Sequence, residues 1–84
     1  MAATQAEINY LFRELSGRYA IPRKKAVDQL TQIGTPAVIG LIHMLKHGSP
    51  VAQEAAAEAL EGIGTRVAKA AAEHWRQVHR TAGV

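Results

Sequence analysis

Hydrophobic residues recur along most of the chain at spacings of three and four, which places them on one face of an α-helix. Val38, Leu41 and Leu45 are typical of this pattern. No stretch alternates between apolar and polar residues as a half-buried strand would. The pattern therefore predicts an all-α protein of five helices, near residues 4–17, 21–33, 36–47, 50–62 and 66–80.

The helical pattern repeats after thirty residues. Residues 30–35 (LTQIGT) align with residues 60–65 (LEGIGT), and Ile8 aligns with Val38 in the same way. A repeat of this kind is typical of helical solenoids, in which each unit buries its apolar face against its neighbours. We therefore predict a single domain over residues 1–84, with a half unit at 4–17, one full unit at 21–47 and a second at 50–80.

Short segments rich in Gly, Thr, Ser and Pro separate the predicted helices. Gly34 can end one helix in a left-handed conformation, Thr35 can cap the next, and Pro36 suits a first helical turn. Gly64 and Thr65 repeat this arrangement without the proline. These signals support the predicted helix boundaries.

The repeated segment resembles a known family. Residues 26–38 (AVDQLTQIGTPAV) and the second copy at 55–64 (AAAEALEGIG) are similar to the HEAT-like repeat family. The likeness is to its short, phycobilisome-lyase-type repeats. The resemblance implies a right-handed α-solenoid of about two and a half HEAT-like helix pairs. It also implies a scaffold role, since most members bind proteins, some bind nucleic acid and a few handle bilin pigments.

So few units leave the end helices without a neighbour on one side. The first helix would have no preceding partner, so we expect Tyr10, Leu11 and Phe12 near an exposed end. Such a patch can serve for docking or for homo-oligomer formation through the uncapped end helices. The alternative is that residues 1–3 and the polar residues of the first helix cover it. The sequence leaves both interpretations open.

In a HEAT-like solenoid the second helix of each pair lines the concave face, and the thirty-residue offset stacks the outward positions of these helices in rows. The rows form a mixed but mainly basic groove. A polar or acidic segment of a partner protein would fit it, whereas a solvated face without a partner is the alternative. The predicted partner-binding groove comprises Arg13, Ile39, His43, Lys46, Lys69, Glu73 and Arg76, with Asn9, Ser16, His47 and Gln77 alongside.

Arg23, Lys24 and Lys25 form a basic run and are the candidate nucleic-acid contacts. Neutralisation of phosphates by such residues dominates nucleic-acid affinity. The offset, however, places Lys24 opposite Glu54 on the neighbouring first-type helix. Pairing between the two helices explains the run without a ligand, although each exposed pair contributes only about 0–1 kcal/mol. We favour the pairing.

Composition narrows the chemistry further. The net charge of +3 is modest beside that of most nucleic-acid binders, and the absence of Cys excludes disulfides and thiolate metal sites. His43 and His47 share one face of the third predicted helix, but two ligands alone do not make a zinc site. No nucleophile, base and orienting residue come together. We therefore predict no metal, no cofactor and no enzymatic activity.

No stretch approaches the ~20 apolar residues that a membrane span needs, and no secretory signal is evident. We expect a cytoplasmic protein without a membrane partner. As its function we expect a small non-catalytic protein-binding adaptor, or an accessory subunit of a larger complex. A nucleic-acid-binding HEAT-like module that uses the Lys and Arg residues is the alternative, and a pigment-related role is implied by the resemblance alone.

Overall fold

The computed structural model describes residues 3–82, with side chains over 3–79. The described residues are all-helical and contain no strand, which confirms the predicted class. No helix within them has the length and hydrophobicity needed to cross a membrane. The elements are α1 (Gln5–Leu15), α2 (Ala20–Ile33), a 3-10 turn (Thr35–Ala37), α3 (Val38–His47), α4 (Pro50–Ile63) and α5 (Arg66–Ala82).

Polar side chains cap three of the helix starts. The Thr4 hydroxyl accepts a hydrogen bond from the Glu7 backbone N–H at 3.1 Å, and Ser49 and Thr65 each accept one from the residue three positions on. Each cap satisfies a donor that the first helical turn leaves unpaired. Thr35 differs from the prediction, because it begins a 3-10 turn without a side-chain cap.

Two glycines end helices in conformations that other residues rarely adopt. Gly64 is left-handed, with φ 74° and ψ 6°, as the sequence predicts. Gly34 also has a positive φ of 78°, but its ψ of −134° lies outside the left-handed helical region. Because glycine lacks a Cβ atom, it enters both regions without steric cost. Gly48 has a negative φ and ends α3 in extended backbone.

Helix α4 lies at the centre of the fold and packs against the other four helices. Its sequence suits that place, because the buried alanines Ala52, Ala56 and Ala57 lie on several sides of the helix axis. Small side chains allow neighbouring backbones to approach closely, so several helices fit around one. Larger residues complete the core around them: Leu15, Leu30, Leu41 and Leu60 are fully buried.

Helices alternate between two sets of neighbours. Helix α2 packs against α1 and α4, while α3 packs against α4 and α5. The Phe12 ring of α1 lies against Gly40 of α3, so that these helices also meet. Between α2 and α3, the 3-10 turn contacts both helices. Odd-numbered helices therefore adjoin odd-numbered ones, and α2 adjoins α4.

Candidate binding surface

The outward side of α3 carries four of the residues that the sequence places in or beside a groove. Val38, Leu41 and Leu45 bury the opposite side of this helix. Each residue advances the helix by about 100°, so the position after Val38 points away from the core. Ile39 occupies that position and is 83% exposed. We define the α3 face by its exposed side chains Ile39, His43, Lys46 and His47.

Helix α1 carries three further polar residues of the predicted groove. Asn9 and Arg13 are exposed, and the Asn9 side chain accepts a hydrogen bond from Gln5 at 2.9 Å. Ser16, also exposed, is the last-turn cap of α1. The contact of Phe12 with α3 fixes the position of α1 beside that helix. Arg13 thus belongs to a helix that contacts α3.

The α5 part of the predicted groove borders α4. Lys69, Glu73, Arg76 and Gln77 line a cleft of about 360 Å³ together with Glu61 of α4. Lys69 and Glu73 are exposed, as predicted. The structure therefore groups the α5 residues of the predicted groove with an acidic residue of α4, which the sequence analysis did not include.

Arg76 is turned toward α4 rather than lying open in a groove. Its guanidinium donates to both carboxylate oxygens of Glu61, at 2.7 and 2.8 Å, and to Glu54 at 3.0 Å. The Arg76 side chain is 31% exposed. A two-pronged arginine–carboxylate pair is among the stronger exposed interactions. The sequence predicts Arg76 as a groove residue. The structure places it in the cleft between α4 and α5, where its guanidinium binds two glutamates of α4 at once.

The electrostatics of this cluster follow from its geometry. The hydrogen bonds from Arg76 lower the pKa of the Glu61 carboxyl, against a smaller opposing effect of burial. The same bonds raise the pKa of the Arg76 guanidinium. Both groups are therefore charged at neutral pH, and the cluster acts as a link between α4 and α5.

The basic run at the start of α2 is partly engaged within the chain. Arg23 donates a hydrogen bond to the Gly17 carbonyl at 2.9 Å, and Lys24 lies 3.8 Å from Glu58. The sequence offset places Lys24 opposite Glu54, so the observed partner is one helical turn further along α4. Lys25 is exposed. Two members of the candidate nucleic-acid set thus contact their own chain.

The end of the helix stack that α1 forms exposes fewer hydrophobic side chains than the sequence predicts. Tyr10 is 55% exposed, but Leu11 is buried in the core and Phe12 is half-buried against Gly40. The Tyr10 hydroxyl bonds with Glu14, which raises the pKa of the tyrosine. Of the three residues that the sequence places near this end, Tyr10 alone is exposed.

Three of the four histidines make ring contacts, two of them with each other and one with a tryptophan. His43 and His47 have ring centroids 4.7 Å apart on α3. On α5, His79 stacks on Trp75 at 4.1 Å, and its Nδ1 atom lies 2.9 Å from the Trp75 carbonyl. Since a carbonyl only accepts, Nδ1 carries the proton. Within the described part of the chain, no three His, Cys, Asp or Glu side chains are grouped to hold a metal ion.

Comparison with known proteins finds no relative. No protein-family model, curated protein or solved structure matches this chain.

Sequence reasoning missed Glu61 as a partner of Arg76. The signal that was available is the spacing of Glu54 and Glu61, which lie seven residues, or two helical turns, apart on one side of α4. An arginine on a neighbouring helix can bind both. Which arginine binds both glutamates depends on the axial shift of α5 relative to α4. The thirty-residue offset in the sequence does not give that shift.

Proposed function

We propose that this chain is a small non-catalytic protein-binding adaptor, or an accessory subunit of a larger complex, built on a HEAT-like arrangement of its helices. Its contact surface is centred on the α3 face, with Arg13 of α1 at the margin. The partner segment is apolar where it meets Ile39 and acidic around it.

The pattern of helix neighbours supports the HEAT-like arrangement. In such a stack, helices of the same type lie side by side from one unit to the next. Here α2 adjoins α4, and α3 adjoins both α5 and, through Phe12, α1. The thirty-residue repeat in the sequence relates the same helices. Both observations support the proposed arrangement.

The exposure of Ile39 carries the functional proposal. Its side chain is 83% exposed on α3, one helical turn before His43 and about two turns before Lys46 and His47. Full burial of an isoleucine against a partner is worth roughly 1.5–3 kcal/mol, or about a 10- to 100-fold change in affinity. Arg13 and Lys46 add positive charge around it, which favours an acidic partner and speeds encounter.

Two exposed isoleucines make a matched test. Ile39 lies on α3, whereas Ile21 is 72% exposed on α2, and neither belongs to the core. Ile39→Glu and Ile21→Glu proteins carry the same change in charge and hydrophobicity on different helices. Each would serve as bait in nuclease-treated extract of the source cells, with bound proteins quantified by mass spectrometry.

We expect Ile39→Glu to lose the stoichiometric partner and Ile21→Glu to retain it. Equal retention by both variants would remove the α3 face from the proposal. Loss of all bound material on nuclease treatment of the unaltered protein would instead indicate nucleic-acid binding.

Charge reversal tests the margin of the same surface. We expect Arg13→Glu with Lys46→Glu to weaken partner binding and to reduce its dependence on salt, because both side chains are exposed. Arg76 stays unchanged in this variant, since its reversal would break the contacts with Glu54 and Glu61 and so alter folding. Lys25→Glu, an exposed change on α2, is the control.

A further inference from the structure

The geometry of His43 and His47 points to a metal site: we propose that these two imidazoles chelate one late first-row divalent ion, such as Ni²⁺, Zn²⁺ or Cu²⁺, on the α3 face. The proposal does not depend on a protein partner. The two residues lie four positions apart on one side of α3, and both side chains are exposed.

The distance between the rings fits a shared ion. With a metal–nitrogen bond of about 2.0–2.1 Å, the centre of an imidazole ring lies about 3.2 Å from the metal. Two such rings at a metal angle of about 90° to 109° have centres roughly 4.5–5.2 Å apart. The observed separation of 4.7 Å lies inside this range. The spacing of the two rings is therefore compatible with one shared ion once a nitrogen of each ring turns toward it.

The end of α3 and the ligand type favour a cation that prefers nitrogen, against the opposing positive charge of the neighbouring Lys46. His47 is the last residue of α3, where the partial negative charge of a helix C-terminus attracts positive charge. Imidazole suits Zn²⁺, Cu²⁺ and Ni²⁺, whereas Mg²⁺ and Ca²⁺ require oxygen ligands. Two ligands alone do not make a closed zinc site, and no third protein ligand is grouped with the pair in the described residues. The proposed site is therefore an open one, in which water occupies the remaining coordination positions.

Calorimetric titration of the full, tag-free chain with NiCl₂ tests the proposal. We expect one ion to bind per chain and no heat from MgCl₂, which requires oxygen ligands. His43→Ala and His47→Ala should each weaken Ni²⁺ binding at least about tenfold. Removal of a residue that only hydrogen-bonds to a metal ligand already costs about that much affinity, and these two residues are proposed as the ligands themselves.

His74→Ala is the matched control, because His74 is an exposed histidine on α5. It should bind Ni²⁺ as the unaltered protein does. Unchanged affinity in the His43→Ala and His47→Ala variants would overturn the proposal, as would an equal loss in His74→Ala. Circular dichroism of each variant separates loss of binding from loss of fold.

Discussion

The contact between Phe12 and Gly40 predicts an unusual response to the addition of one methyl group. A Cβ atom placed on Gly40 would lie 2.3 Å from Phe12 Cζ and 2.4 Å from Cε2, far inside van der Waals contact. Over-packing of this kind costs about 1–3 kcal/mol. Alanine in place of glycine within a helix, however, stabilises it by about 1 kcal/mol. Gly40→Ala should therefore destabilise the protein by about 0–2 kcal/mol in total.

A second substitution isolates the steric part of this effect. In Phe12→Leu the clashing ring atoms are absent, because leucine ends at Cδ. Adding Gly40→Ala to that background should then stabilise the protein, by up to about 1 kcal/mol. The sign of the effect of one methyl group thus depends on the residue at position 12. The coupling energy between the two sites is expected to be about 1–3 kcal/mol.

Thermal and urea unfolding of the four proteins, followed by circular dichroism at 222 nm, measure this coupling. For a chain of this size, each 1 kcal/mol corresponds to a shift of about 4–8 °C in the midpoint. If Gly40→Ala destabilises the protein equally in both backgrounds, the contact of α1 with α3 through Phe12 is not the one that the structure shows.

Three further predictions concern stability. Arg76 lowers the pKa of Glu61 in the folded protein. The ion pair therefore stabilises the fold fully above the pKa of an unfolded glutamate, about 4.3, and this stabilisation is lost as the pH falls through the lower pKa of the folded state. Glu61→Gln should flatten the acid limb of the stability curve by less than about 1 kcal/mol, because Glu61 is largely exposed. Asn should be tolerated at Gly64 but should cost about 1–3 kcal/mol at Gly34, whose ψ only glycine readily adopts; urea midpoints compare them. Thr65→Ala should lower the urea midpoint by the equivalent of about 1 kcal/mol, through loss of the cap.

Local sequence signals predict the helices well, because the structures that they specify are local. A capping hydroxyl acts on an N–H three residues away, as Thr4 and Thr65 do. A glycine ends a helix by its own backbone conformation, as Gly64 does. Both effects depend on a few neighbouring residues, so the boundaries of α1, α4 and α5 follow from the sequence within a few positions.

Contacts between helices are harder to predict, because they depend on axial shift and on the direction of long side chains. The thirty-residue offset relates α2 to α4 correctly as neighbours. It places Lys24 opposite Glu54, whereas the observed partner is Glu58, one turn away. It groups Arg76 with the other α5 residues of the predicted groove but does not show that the long side chain reaches Glu61 on the neighbouring helix.

The candidate surface was predictable in part. Ile39 follows the buried Val38 in a helix whose apolar stripe is clear from the sequence, so its outward direction follows from helical geometry. The sequence predicts that Ile39 points outward, but it does not show whether a neighbouring helix covers that position in the folded protein. In the structure none does, and Ile39 remains 83% exposed.

Site-specific photo-crosslinking at position 39 tests the proposed binding surface most directly. A benzophenone amino acid would replace Ile39 in one protein and Ile21 in another, and each would be irradiated in nuclease-treated extract of the source cells. We predict one discrete protein adduct from position 39 and none from position 21. Adducts from position 21 alone, or none from either position while the partner still co-purifies, would contradict the assignment of binding to the α3 face.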